Sequence, residues 1–154
     1  MNKKLKKIQR TANIGLYGSI GITLVTLALY FFWHYRFYSN ETGYRFMLIA
    51  GSVLAVLAIV TILFTVRRSI PHIRQSDDLN YKIKKYTEQT KNIYLSTFGI
   101  IVIECVLITL AHANTLFMLV IVLVLMLFLL YPNNLKVKVD LGLNDDEMSS
   151  LSQS

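Results

Sequence analysis

Four apolar runs, each near the length an α-helix needs to cross a lipid bilayer, constrain this chain more than any other feature. A hydrocarbon core about 30 Å thick takes about 20 helical residues. The runs fall at about 11–35, 46–66, 92–111 and 115–131. The first has no charged residue between Thr11 and Tyr35, and Arg67 and Arg68 stop the second. The third holds one acid, Glu104, and the fourth, short but the most apolar, is closed by Pro132. Inside lipid every backbone N–H and C=O needs a partner within the protein, which a helix supplies by itself. The expected fold is therefore all-α: an integral membrane four-helix bundle made of two transmembrane hairpins over residues 1–132, with a short tail over 133–154. The 54% hydrophobic share describes spans plus connections and leaves no room for a second soluble domain.

Charge then orients the bundle. Lys3, Lys4, Lys6, Lys7 and Arg10 precede the first run; Arg67, Arg68, Arg74, Lys82, Lys84, Lys85 and Lys91 lie between the second and third; Lys136 and Lys138 follow the fourth. Only Arg36 and Arg45 fall on the other side, so the positive-inside rule predicts that both termini and the amphipathic loop at about 67–91 are cytoplasmic. The same distribution accounts for the formal net charge of +7 without a nucleic-acid partner. Aromatic residues from Tyr30 to Phe46, Trp33 among them, cluster where the first hairpin meets the outer interface. The Asn40-Glu-Thr42 sequon in that turn reads as a plain turn close to the membrane.

The basic opening Met1-Asn-Lys-Lys-Leu-Lys-Lys resembles the start of a signal peptide, but the apolar run behind it is far longer than an h-region of about 7–15 residues, so a retained span is expected. Cys105, the only cysteine, reads as a small buried hydrophobe. His34 and His112 fall near the outer surface with Glu41 the only local acid, too few ligands for a metal site. No HExxH, GxSxG, P-loop, CxxC or dinucleotide fingerprint occurs, so neither an enzyme nor a cofactor is expected.

A short internal repeat links the starts of the first and third runs. Thr11-Ala-Asn-Ile-Gly-Leu16 and Thr90-Lys-Asn-Ile-Tyr-Leu95 share Thr-x-Asn-Ile-x-Leu, each preceded by Lys-Lys. A genuine repeat makes the protein two tandem hairpins of the same orientation; coincidence is the alternative.

Helices in lipid associate through small residues and buried hydrogen bonds. Ala12, Gly15, Ser19, Thr23 and Thr26 share one face of the first run, and Gly51, Ala55 and Ala58 one face of the second. These faces are expected to pack helices within the bundle or to form a dimer interface. The fourth run has no Gly, Ala, Ser or Thr from Leu116 to Leu130, as suits a helix largely in lipid. Glu104 lies near the bilayer midplane, where an ionised carboxylate is costly and no Lys or Arg is at hand. It is expected protonated, donating to Thr23 or Thr26, with Thr97 on the same helix.

Pro71 is expected to break the second helix and Ser76-Asp-Asp78 to cap a restart that carries Leu79, Ile83 and Tyr86 among lysines, anchoring to headgroups or docking a cytoplasmic partner. Asn144 with Glu147 suits a helix cap, yet the tail is expected to fray, the alternative being a peptide that docks on a partner or back on the basic loop. The functional expectation is a multi-pass scaffold, assembly or regulatory subunit with the lipid bilayer and a homo-oligomeric or membrane-protein partner, in a bacterial cytoplasmic membrane. The alternative is a small proton- or cation-coupled transporter or channel that uses Glu104.

Overall fold

The computed structural model describes residues 3–32, 41–111, 113–145 and 147. Four residues of the aromatic cluster (Trp33, Tyr35, Phe37, Tyr38), together with His34, His112 and Asn40 of the sequon, lie outside them. The described residues form five helices and no strand: α1 Lys3–Phe32, α2 Glu41–Arg74, α3 Leu79–Ala111, α4 Asn114–Leu129 and α5 Asn134–Leu141. Three of them, α1, α2 and α3, are long and apolar enough to cross a membrane, and α4 joins them if it is counted with α5, to which it is bent by 78°. With 16 residues, α4 by itself spans about 24 Å.

α3 is central and packs on α1 most extensively, then on α2 and α4. A Cβ on Gly15 would lie 3.0 Å from Tyr94 Cβ, and one on Gly18 would lie 3.1 Å from Phe98 Cε2, so α1 and α3 run parallel. The offset of Gly15 from Tyr94 is that of Thr11 from Thr90, so the helices touch in the register of the sequence repeat. α2 and α4 run antiparallel to α3. The Tyr94 hydroxyl donates to the carbonyl of Leu127 at 2.7 Å, one of the terminal carbonyls of α4 that its own helix leaves open. At the opposite end the Tyr30 hydroxyl donates to Asn114 Oδ1, and the Tyr30 and Phe117 rings meet edge to face 5.2 Å apart.

The main core runs along the bundle through Leu16, Ala55, Ile101, Ile108, Leu116 and Leu123. On α4, Leu116, Val120, Leu123 and Leu127 recur at steps of four and three and are buried, whereas Met118, Leu125, Phe128 and Leu129 are exposed. Large apolar side chains are exposed along the other helices too, among them Ile14 and Leu24 on α1, Phe46, Val53 and Val60 on α2, and Ile103 and Val106 on α3. An exterior of this kind, on three helices of sufficient length, is compatible with an integral membrane protein.

Two local expectations are corrected. Pro71 does not break the second helix: α2 contains it and ends one turn later at Arg74, where the Gln75 N–H reaches the Pro71 carbonyl. Proline near a helix end forfeits one hydrogen bond, which three residues of further helix outweigh by burying Ile73. Asp78, not Ser76, caps α3, its carboxylate accepting from the Asn80 N–H at 2.9 Å.

The tail holds a further helix over Asn134–Leu141, which is not anticipated from the sequence, while the end beyond 147, where fraying is expected, lies outside the described residues. Pro132 excludes Tyr131 from helical backbone, so the chain turns sharply there. Asn133 then caps α5 by accepting from the Lys136 N–H at 2.7 Å. Gly142 closes the helix with φ 62°, while the Leu143 N–H returns to the Lys138 carbonyl, the Schellman pattern. α5 packs back on the basic loop: Val137, Leu141 and Leu143 join Ile8, Ile73, Ile83 and Tyr86 in a second, smaller core.

Candidate functional site

The side chains singled out by sequence separate into two clusters on opposite faces of α3. Glu104 is completely buried and faces α2 and α4. A Cβ on Gly51 would lie 2.8 Å from Glu104 Oε2 and 2.8 Å from Leu116 Cδ2, so the carboxyl occupies space that only a glycine leaves open. Neither carboxyl oxygen has a hydrogen-bond partner among the described residues.

Thr23 and Thr26 do not meet Glu104. Their hydroxyls donate within α1, to the Ser19 carbonyl at 2.7 Å and the Ile22 carbonyl at 2.9 Å, on the side of α1 that faces Cys105. The reason is rotation: one residue along a helix turns about 100°. That step aims Cys105 at α1 and Glu104 away from it. Depth alone, which places the threonines level with Glu104, does not decide which helix a side chain faces. Thr26 and Cys105 stand at the repeat offset, as do Gly15 and Tyr94.

Ser19 is fully buried and its hydroxyl donates to the Gly15 carbonyl at 2.7 Å. Thr97 is buried two turns from Glu104 and lines a crevice of about 400 Å³ between α2 and α3 with Thr61, Thr65, Gln89, Asn92 and Ser96. A second crevice, of about 300 Å³ between α1 and α3, is lined by Thr26, Cys105 and Thr109. Glu104 lines neither. The hydroxyls of Ser19, Thr23, Thr26, Thr61, Ser96 and Thr109 are all bonded four residues back along their own helices, which leaves them poor members of a proton relay.

The packing residues Gly15, Gly51, Ala55 and Ala58 are buried inside the single bundle, Gly15 against Tyr94 and Gly51 against Glu104. Sequence reasoning missed Asn13 and Gln89, whose side-chain oxygens are buried without partners. It also missed Tyr94, although setting Gly15 opposite a tyrosine in the repeat is a signal of a large residue filling a small one's space. Among the described residues no group of three or more His, Cys, Asp or Glu side chains stands close enough to hold a metal ion.

A polar cluster lies at the other end of the molecule, outside the long apolar stretches. The Tyr86 hydroxyl donates to Asp140 Oδ2 at 2.8 Å, and Lys136 Nζ stands 3.9 Å from the same carboxylate. Burial, and then the negative charge of Asp140, push the Tyr86 phenol above its ordinary range. Gln9 adds a hydrogen bond from α1 to the Pro132 carbonyl at 3.4 Å. Comparison with protein-family models, with curated proteins and with solved structures finds no match to this chain.

Proposed function

We propose that the chain is a non-enzymatic multi-pass membrane subunit, a scaffold, assembly or regulatory component of a cytoplasmic membrane, with four spans and both termini on the cytoplasmic side. The basic end, which holds Lys7, Arg68, Lys84 and Lys136, is then the cytoplasmic end, and the α4–α5 corner at Pro132 is where the fourth span leaves the bilayer. One observation carries the choice of a structural role over transport: Glu104 is sealed between Gly51 and Leu116, and the hydroxyls of Thr109 on its own helix and of Thr23 and Thr26 on α1 are bonded within their helices. A carboxyl so placed fixes the rotation of α3 against α2 and α4, since only the glycine face of α2 admits it. The small-residue faces that would serve a dimer are used inside one bundle. A partner, another copy or another membrane protein, therefore meets the exposed outer faces of the helices.

The test is labelling of Glu104 by a hydrophobic carbodiimide across pH, read by mass spectrometry on the full chain in detergent, with and without added cations. A structural Glu104 stays unlabelled in the folded protein at every pH and labels on unfolding. Labelling that titrates and is blocked by a cation would overturn this reading in favour of a proton- or cation-coupled transporter.

A further inference from the structure

We infer that the cytoplasmic end of the α1–α3 interface is a binding cleft for the phosphate of one anionic lipid headgroup, held by Lys7, Lys84 and Lys91. The cleft has a volume of about 510 Å³, within the range of small-ligand sites and larger than the crevices higher in the bundle. On α3, Asn80, Lys84, Thr87 and Lys91 follow one another at steps of four, three and four and so share a face. Two helical turns, about 10.5 Å, separate Lys84 from Lys91 along the axis. Lys7 enters from α1, whose register against α3 at the Gly15–Tyr94 contact places it level with Tyr86, between the two. Three cations thus surround one recess on two helices held in fixed register by the Gly15–Tyr94 contact.

Their charges are not spent elsewhere. Among the described residues, none of the three forms an ion pair; the one acid lining the cleft, Glu88, is bonded to Lys85 at 3.1 Å. Three neighbouring ammonium groups repel one another, and an anion between them relieves that repulsion. The site's depth selects the source of the anion. Lys91 directly precedes the apolar stretch that begins at Asn92, and Lys7 stands one turn before Thr11. That is the headgroup layer, where basic recesses between helices bind acidic lipids. Asn80 and Thr87 line the same recess, the Thr87 hydroxyl donating to the Ile83 carbonyl at 2.6 Å and so facing a headgroup only as an acceptor.

The assignment rests on the chain being membrane-embedded, so its test separates the two. Full-length protein in detergent is titrated with phosphatidylglycerol and with phosphatidylcholine and followed by native mass spectrometry. One phosphatidylglycerol per chain is expected to bind in preference to phosphatidylcholine. At about fivefold per lysine, the K7Q/K84Q/K91Q variant is expected to bind it about a hundredfold more weakly. A K6Q/R10Q/R67Q variant removes the same charge from exposed positions outside the cleft and is expected to bind as the native chain does. Equal weakening in both variants, or no preference for the anionic lipid, would overturn the cleft. Displacement of the lipid by inorganic phosphate would make soluble phosphate the ligand and overturn the headgroup assignment. Should the triple variant elute unfolded, K84Q and K91Q singly carry the same comparison at fivefold each. A native chain that stays monodisperse without detergent would instead refute membrane embedding.

Discussion

Replacing Gly51 by alanine tests whether the Glu104 contact is what orders the bundle. The added methyl would stand 2.8 Å from Glu104 Oε2 and Leu116 Cδ2, closer than Cβ atoms come to heavy atoms in folded proteins, and a tight 3.1 Å from Leu116 Cδ1. Both neighbours are fully buried, so neither side chain can swing into open space. Overpacking of this kind destabilises by about 1–3 kcal/mol. Against it stands the helix-propensity gain of alanine over glycine, about 1 kcal/mol. Gly21 and Gly99 supply the reference, because a Cβ at either meets nothing within 4 Å. Comparing Gly51→Ala with Gly21→Ala cancels the propensity gain and leaves the steric difference. At about 2–4 °C per kcal/mol for a chain of this size, the Gly51→Ala midpoint should fall roughly 2–12 °C below that of Gly21→Ala in detergent thermal melts. A double-mutant cycle then assigns the clash: in a Glu104→Ala background the penalty of Gly51→Ala should shrink, since one of its two obstructing groups is gone. Equal midpoints for Gly51→Ala and Gly21→Ala, or no coupling in the cycle, would refute the packing argument.

The tail gives two further expectations. Tyr86→Phe removes the hydrogen bond to Asp140 and should weaken tail docking by about 1.5–3 kcal/mol, the range for bonds to charged groups, seen as faster tryptic cleavage after Lys136 and Lys138. Since the folded protein raises the Tyr86 phenol, the docked tail keeps this contribution below the ordinary phenol value of about 10 and loses it as pH climbs beyond that value; cleavage that accelerates between neutral pH and pH 9 instead would contradict the assignment. Gly142→Ala forces a side chain into left-handed backbone at φ 62°, at a cost of about 1–2 kcal/mol, and should expose the tail in the same assay. Preserved protection would mean that α5 does not depend on this cap.

Much of the architecture was legible because the decisive forces are local in sequence. A run such as 46–66 satisfies its own backbone hydrogen bonds as a helix whatever surrounds it, and the outer face of α4 could be read from a sequence without small residues. The asymmetry of Lys and Arg likewise needs no partner. Pro71 misled because its local cost is small beside the burial of Ile73, a tertiary gain that the sequence around it does not display. The ordered tail was hidden for the same reason: Val137, Leu141 and Leu143 look like scattered apolar residues until Ile8, Ile73 and Ile83, from three other helices, converge on them.

Glu104 divides the two kinds of knowledge most clearly. Its position within an apolar run, and the penalty on charge there, follow from sequence alone. So does the likeness between the starts of α1 and α3, which foreshadowed the register in which these helices touch. What faces the carboxyl did not follow, because helices of equal depth present different neighbours with each turn of about 100° per residue. Only the packing of α3 between α1 on one side and α2 with α4 on the other gave the threonines to Cys105 and the glycine to Glu104. The same packing brought Lys7 beside Lys84 and Lys91, residues nearly eighty positions apart whose shared recess exists only once the two helices lie parallel.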